Sequence, residues 1–505
     1  MSAFDELIAD PLARRRYLVI LEPYDPRAET TVAHYFSDDG FITGPSDDPA
    51  NTYFEPRLTF ALNFERQLFA GGRLSGRSLP GAGTLQLNNA DGALDTMTEL
   101  AFDGRRVRVL LGGEGFAYAE FAVIFDGTAD GIEVDDEVMT VRLRDLQSRF
   151  EAGLDRGIYG GTGGLDGRSG LKDREKPLTF GRVFHVPAIL VDPATLTYQV
   201  HDGAIESIDA VYDSGLALTK VAGSPSAGQF SVDASDGTFT LGASAAGPVT
   251  ADVRGDKSSG SYVETVAGLI QRLVSTRLAG DETVSVNTAA FSAFDAAHGD
   301  AVGIWVRSGA GLAEVLDSLA DSVGAHYGFD RAGAMTIGRV DEPAETPATL
   351  FDETQVLEIE RLAVARPVWR QSVEYRRYWQ TLDAGSVAGA VGEEARADLA
   401  EPVRVEAVED PEVRTRHLLS VDAVAVTLLT ETSSAATEAA RLLSVFGADR
   451  VAFRVLLKTQ PFALDLGQTI TLRYPRHGLQ AGRNLVVVGM VEDSASNEIT
   501  LDLWG

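Results

Sequence analysis

The sequence predicts a mainly β, multi-domain protein in which a barrel-like unit at each end flanks inserted β and α+β units. Three observations carry this prediction. At 505 residues the chain is too long for one core, given a usual domain size of about 100–150 residues. Apolar residues alternate with period two near both ends, whereas helix-periodic stretches are few. Glycine is abundant, at 51 residues, and punctuates short strands with turns.

Residues 1–155 read as the first β unit. Tyr17 to Leu21 is a short apolar run after Arg14, Arg15 and Arg16. That order and length fit a strand, not a signal peptide or a membrane span. Asp39-Gly40 supplies a turn between Phe36 and Phe41. Leu58, Phe60, Leu62 and Phe64 fall on one face of a strand. A strand over 84–87 leads into a turn-rich connector over 88–95, and Val107, Val109 and Leu111 alternate, as do Met139, Val141 and Leu143. Five or six such strands make a barrel or a strongly bent sheet.

Residues 156–176 form a glycine-rich linker, which marks either a boundary or a loop clamped by a neighbour. Residues 177–255 read as a small β domain, with strands near 196–200, 205–208, 230–232 and 238–241. Residues 256–345 switch to α+β. Val263, Val266, Ile270, Leu273 and Val274 share one helical face, Leu312, Val315, Leu316, Leu319 and Val323 another, and a hairpin over 324–337 turns at 330–333. The last unit, 346–505, starts with strands near 356–359 and 370–379. A loop or short helix covers 383–397, and Ala439, Leu442, Leu443 and Phe446 make a helical stripe that Gly447 can terminate. The chain then forms a small closed or nearly closed antiparallel barrel: Ile470 and Leu472 alternate with threonines, 475–478 turns, 485–488 is continuously apolar, and Ile499, Leu501 and Leu503 alternate again.

A formal charge of −30 argues against attraction of the whole molecule to nucleic acid. It suits a surface that nucleic acid passes without adhering. Cysteine is absent from the sequence, which excludes disulfides and thiolate metal sites.

The residues that could carry chemistry do not assemble into a motif. Seven histidines (His34, His185, His201, His298, His326, His417 and His477) are dispersed, and no two share a helical turn. Around Asn89, Asp91 and Gly92 a calcium loop would need Leu87 and Thr98 as its first and last ligands, and neither serves. The glycine run near Gly160 lacks Gly-Lys-Ser/Thr, and Asp166 stands where a dinucleotide fingerprint needs glycine. Leu171 likewise breaks a nucleophile elbow at Ser169. The reading therefore assigns no catalytic residue, no cofactor and no metal. The aromatic cluster of Tyr375, Tyr378 and Trp379, with Arg376 and Arg377, could stack on nucleic acid or sugar. Alternation along a strand favours an assembly interface instead, to which the chain-terminal Trp504 is added.

Four stretches together resemble a family of phage tail hub proteins akin to the trimeric hub of contractile-tail baseplates. They are the strand and turn over 83–95; the glycine run over 159–167 with 171–177 and 198–200; the segment Val373, Glu374, Tyr375, Arg376, Arg377, Tyr378, Trp379; and the closing barrel with its Pro475-Arg476-His477-Gly478-Leu479 turn and terminal Leu503-Trp504-Gly505. The resemblance implies a homotrimer in which two tube domains per subunit mimic a sixfold tail tube at the tail tip of a virion. It also implies assembly in the host bacterial cytoplasm, with a distal tail protein, a tape-measure protein and tail-tip or fibre proteins as partners, and DNA passing without specific binding. The rival readings are a hexameric distal tail ring protein, a tail-borne depolymerase or cell-wall hydrolase, and a receptor-binding adhesin.

Overall fold

Both end units are built on one sheet. The computed structural model describes residues 3–10, 12–68, 75–151, 153–278, 284–458, 462 and 464–505. Within them a fifteen-stranded sheet runs from Val356–Leu362 through Ala452–Lys458, Glu498–Trp504 and Arg483–Asp493. It crosses there into the N-terminal unit, continuing through Leu58–Gln67, Leu79–Asn88, Val138–Arg144, Ala122–Val134, Arg106–Gly113, Arg15–Leu21, His34–Ser37, Tyr53–Pro56 and Phe41–Ile42. Thr469–Leu472 and Thr349–Phe351 branch from Arg483–Asp493.

The crossing is an antiparallel ladder from Gly489 opposite Gln67 to Asp493 opposite Asn63. Leu68 N–H donates to the Val488 carbonyl at 2.8 Å, and Leu62 N–H to Ser494 Oγ at 2.8 Å. One strand can serve both units because it is eleven residues long. Its first part pairs with Thr469–Leu472 and its second part with Leu58–Gln67.

Two large cores lie against this sheet, and a smaller apolar cluster of Leu18, Ile20, Phe54, Leu110 and Phe121 lies on the opposite face of Arg15–Leu21. Val19, Leu21, Leu62, Phe64, Leu85, Leu87, Val109, Val141 and Leu143 meet in the N-terminal one. Phe453, Val455, Ile470, Leu472, Leu485, Val487, Ile499, Leu501 and Leu503 meet in the other. Val19 and Phe64 stand on strands separated by four others, so one shared core requires the sheet to curl. No closed barrel forms among the described residues, so of the two forms the sequence left open for the N-terminal unit, a barrel or a strongly bent sheet, the bent sheet is the one found. A strand has two edges: those of Leu58–Gln67 are taken by Leu79–Asn88 and Arg483–Asp493, and those of Arg15–Leu21 by Arg106–Gly113 and His34–Ser37. Over Leu18–Leu21 and Asn63–Gln67 neither strand keeps a free edge, and no ladder joins the two among the described residues. Phe60 also departs from the expected face, because the ladder to Leu79–Asn88 shifts register on either side of it.

The inserted units follow the same logic. Two five-stranded sheets, one containing Leu178–Pro187, Ile205–Asp213 and Val249–Asp256, the other Thr197–Gln199 and Thr238–Leu241, enclose Val183, Ile208, Phe230, Phe239 and Val253. The glycine-rich segment is a clamped loop: Asp166 accepts from Gly160 N–H at 2.9 Å and Thr162 Oγ1 at 2.6 Å, while Tyr159 is buried and donates to Gln199 Oε1 at 2.5 Å. Helices Val266–Thr276 and Thr288–Ala297 start at Thr265 and Asn287, whose side chains accept from Gly268 and Ala290 N–H; the Thr265 cap leaves Val263, expected on the first helix, outside it. Leu312–Asp321 follows, then the hairpin Ala325–Phe329 and Met335–Arg339. Its turn is held by Asp330, which accepts from Ala332 and Ala334 N–H at 3.0 and 2.9 Å, with Gly333 at φ 72°.

Residues 368–447, grouped by sequence with the C-terminal unit, pack with the α+β insertion. A three-stranded sheet of Arg404–Glu409, Val368–Tyr375 and Val421–Val426 is backed by the helix Thr432–Gly447. Val373, Leu429, Ala435 and Ala439 share one core with Leu269, Leu316, Tyr327 and Met335.

Candidate assembly interface

The aromatic residues singled out in the sequence find partners within the chain. Tyr375 ends its strand, is buried, and places its hydroxyl 3.1 Å from Thr432 Oγ1. Arg376 then adopts φ 45°, which stops the strand earlier than expected and ends the alternation. The following residues reach the small β unit instead: Trp379 N–H donates to the Phe184 carbonyl at 3.2 Å, and Gln380 N–H to that of His185 at 2.9 Å. The Tyr378 ring lies 4.3 Å from the His185 ring, with the Arg404 guanidinium 4.3 Å from its centroid. Its hydroxyl donates to Asp398 Oδ2 at 2.8 Å; burial and then that bond push the phenol up to about 12. Trp379 faces Trp305 at 6.0 Å. Trp504, half-buried on the last strand, packs on Phe446 at 6.2 Å and under Arg450 at 5.1 Å. Tyr375, Tyr378 and Trp379 therefore join inserted units, whereas Trp504 stands apart on the large sheet.

A second junction was not read from the sequence. Arg331, at the hairpin turn, pairs with Glu492 of the strand that crosses between units. Glu492 is 1% exposed and also accepts from Phe462 N–H at 2.9 Å. Beside it Arg66, also buried, pairs with Asp465 at 2.9 Å and donates to Met490 Sδ at 3.0 Å. Burial disfavours the Asp465 charge, but Arg66 and Arg331 together hold its carboxyl below the usual range. Four charges thus sit where the N-terminal unit, the C-terminal unit and the α+β insertion meet. A signal existed: Arg66 extends the inward register of Leu62 and Phe64, a charge on an apolar face.

Next to this junction a cavity of about 350 Å³ is lined by Arg66, Asp465, His326, Asp330, Arg339 and Gly467, among others. Burial lowers the His326 imidazole to about 4, so it is neutral at pH 7.

One arrangement has the connectivity of a hydrolytic triad. His201 Nε2 lies 3.4 Å from Asp256 Oδ1, and Thr179 Oγ1 3.4 Å from His201 Nδ1. Its surroundings make it structural. His201 and Thr179 are fully buried, and His201 Nδ1 already accepts the Thr179 backbone N–H at 3.0 Å. Arg272 Nη1 sits 2.5 Å from Asp256 Oδ2. Burial opposes the Asp256 charge, but bonds from His201, Ser258 and Arg272 hold the carboxyl below its usual range. A nucleophile there meets no substrate. Among the described residues, His, Asp and Glu form no group of three arranged to hold a metal.

Away from the Leu18–Ile20–Leu110 cluster, the face of the large sheet opposite its two large cores carries ion pairs of both signs. Arg106–Asp126 at 2.6 Å, Arg142–Glu133 at 2.6 Å and Arg454–Asp502 at 2.7 Å span both units. No described helix is long and apolar enough to cross a membrane.

No protein-family model matches the chain, and no curated protein matches it significantly. Solved structures do resemble it. A tail protein from Neisseria meningitidis MC58 is 9% identical, with 97% of this chain and 96% of that one covered at a TM-score of 0.40. The 43 kDa tail protein of prophage MuSo2 from Shewanella oneidensis is 10% identical over 96% and 98% of the two chains, again at 0.40. A component of the Escherichia coli type VI secretion system, described as structurally similar to T4 bacteriophage tail proteins, is 9% identical over 88% and 73%, at 0.32. The first two of these are matched over nearly the whole of both chains.

Proposed function

We propose that this chain is the hub at the distal end of a phage or phage-derived tail, a structural virion protein that closes the tail tube, adapts symmetry and attaches tip or fibre proteins. The observation that carries the reading is the continuous fifteen-stranded sheet with two side-by-side cores. Each chain brings two curled β units, the barrel-like tube domains of the reading, locked in register by the ladder from Gly489 to Asp493. Three copies around an axis then present six units, matching a sixfold tube above and a threefold tip below. The solvated, ion-paired face suits a wall past which DNA slides without specific binding. Trp504, Tyr378 and Trp379 keep exposed surface for a neighbouring subunit, and buried Tyr375 positions the latter two.

A distal tail protein, a tape-measure protein and tip or fibre proteins are the partners in this reading, and no catalytic step is required. Labelling intact tails with an antibody against this chain tests it. Label at the distal end is expected; label along the tube or at the head, or none on purified particles, contradicts it.

A further inference from the structure

The three-stranded sheet of Arg404–Glu409, Val368–Tyr375 and Val421–Val426 buries Val373 and Tyr375 on the face backed by the helix Thr432–Gly447. On its other face Val405, Val424 and Val426 are 56, 61 and 54% exposed, grouped around Ser372 and Ala407. Leu418 and Leu419, in the turn that leads into Val421, are exposed as well. Aliphatic side chains gathered in this way, unlike single ones, mark a contact surface. Both outer strands also keep a free edge: among the described residues each pairs with Val368–Tyr375 and with no other strand. Val421–Val426 carries no proline or lysine to repel a further strand, and its one charge, Asp422, is taken by Arg370 at 3.3 Å.

We infer that Val421–Val426 of one copy pairs, antiparallel, with Arg404–Glu409 of a second copy of this chain. Strand direction allows it. Val421–Val426 runs parallel to the central strand and Arg404–Glu409 antiparallel to it, so the two edges oppose each other. A copy related by rotation about an axis along the strands keeps that sense and brings its Arg404–Glu409 edge to the open Val421–Val426 edge. Side chains select the register. With Val424 opposite Val405, Val421 meets Val408 and Val426 meets Val403, while Asp422, Glu406 and Arg404 each face an alanine: Ala407, Ala423 and Ala425. Sliding by two residues, to Val426 opposite Val405, sets Asp422 against Glu409, and sliding by one turns the apolar face outward. Each copy carries both halves of the joint, so an edge stays open until a ring closes. The joint rests on the hub reading for the number of copies, and adds to it the segments by which they meet.

The absence of cysteine makes the test clean. The full chain with Val405→Cys and Val424→Cys is oxidised and run on a denaturing gel without reductant, beside each single variant, and its native mass is measured in parallel. Within one copy the two positions flank the central strand, about 10 Å or more apart and beyond the ~7 Å Cα limit of a disulfide, so a bond between them joins two copies. The expected result is a native trimer that becomes a covalent one, with at least about tenfold more multimer than from either single variant. A native trimer that does not cross-link overturns the joint and leaves the hub reading standing. Cross-linked assemblies of another number uphold the joint and contradict the threefold reading. A monomer without covalent product overturns both. Val424→Lys, at an exposed position, should weaken assembly at least about tenfold with unchanged circular dichroism. Assembly indifferent to that lysine overturns the joint.

Discussion

Removing Glu492 should open the junction between the hairpin and the two β units. Glu492 is 1% exposed and the Arg331 side chain 14%, so each is almost wholly removed from water. Glu492→Gln leaves Arg331 charged, buried and short of one partner, a change that costs about 3–5 kcal/mol in comparable sites. The neighbouring Asp465 retains some attraction for Arg331, so the lower end, about 3 kcal/mol, is expected. Arg331→Met should cost a similar amount by stranding the carboxylate. The double variant Arg331→Met with Glu492→Met should recover most of the loss, because apolar replacements of similar volume need no partner.

A chain with several cores does not unfold in one step, so global melting would blur this effect. Native-state amide exchange is the suitable assay, read at Ala325–Phe329, at Met335–Arg339 and at Phe462 N–H, whose acceptor is Glu492. A loss of about 3 kcal/mol accelerates exchange there roughly 150-fold if opening is local. Single variants that change exchange less than about fivefold, or a double variant no better than either single, would refute the reasoning.

Other consequences follow from particular contacts. Leu501 is fully buried in the C-terminal core, so Leu501→Ala should cost about 2–5 kcal/mol, and truncation after Asn497 should prevent soluble assembly; a truncated chain that still assembles contradicts the sheet assignment. A Cβ at Gly83 would stand 2.0 Å from the Asn63 carbonyl oxygen, so Gly83→Ala should lower stability by about 1–3 kcal/mol, measurable by urea denaturation. The His326 imidazole, lowered to about 4 by burial, binds its proton more readily in the unfolded chain. Its contribution is complete above about pH 6.5 and is lost as pH falls towards 4, with an upper bound of about 3 kcal/mol. Buried Asp145, raised to about 6, contributes with the opposite sign over about pH 4–6. The difference between wild type and His326→Gln across this range isolates the histidine; parallel stability profiles would remove it as the cause.

Most of the strands were legible because their cores are one-sided, and one-sided burial leaves period-two alternation. Val107, Val109 and Leu111 and Ile499, Leu501 and Leu503 are all buried as the alternation requires. The clamped glycine loop was one of two options open in the sequence, and Asp166 decides it by supplying the acceptor that a phosphate would have offered. What alternation cannot convey is which strand takes each edge. The ladder between Leu58–Gln67 and Arg483–Asp493 joins residues more than 400 positions apart, and nothing local distinguishes it from closure of two separate barrels. The turn at Arg376 escaped for a related reason: a left-handed arginine looks like any other in sequence, so the strand seemed to continue to Trp379. The seam charges were half-visible, since Arg66 interrupts an apolar register, but its partner Asp465 lies in a loop with no periodicity.

The central claim is that two β units in each chain build a threefold ring. Native mass measurement of the full chain at micromolar concentration tests it most directly. The account predicts a species of about 162 kDa, three times the 53.9 kDa chain. A hexamer would point to the distal ring protein instead, and a monomer that persists at that concentration would contradict the claim.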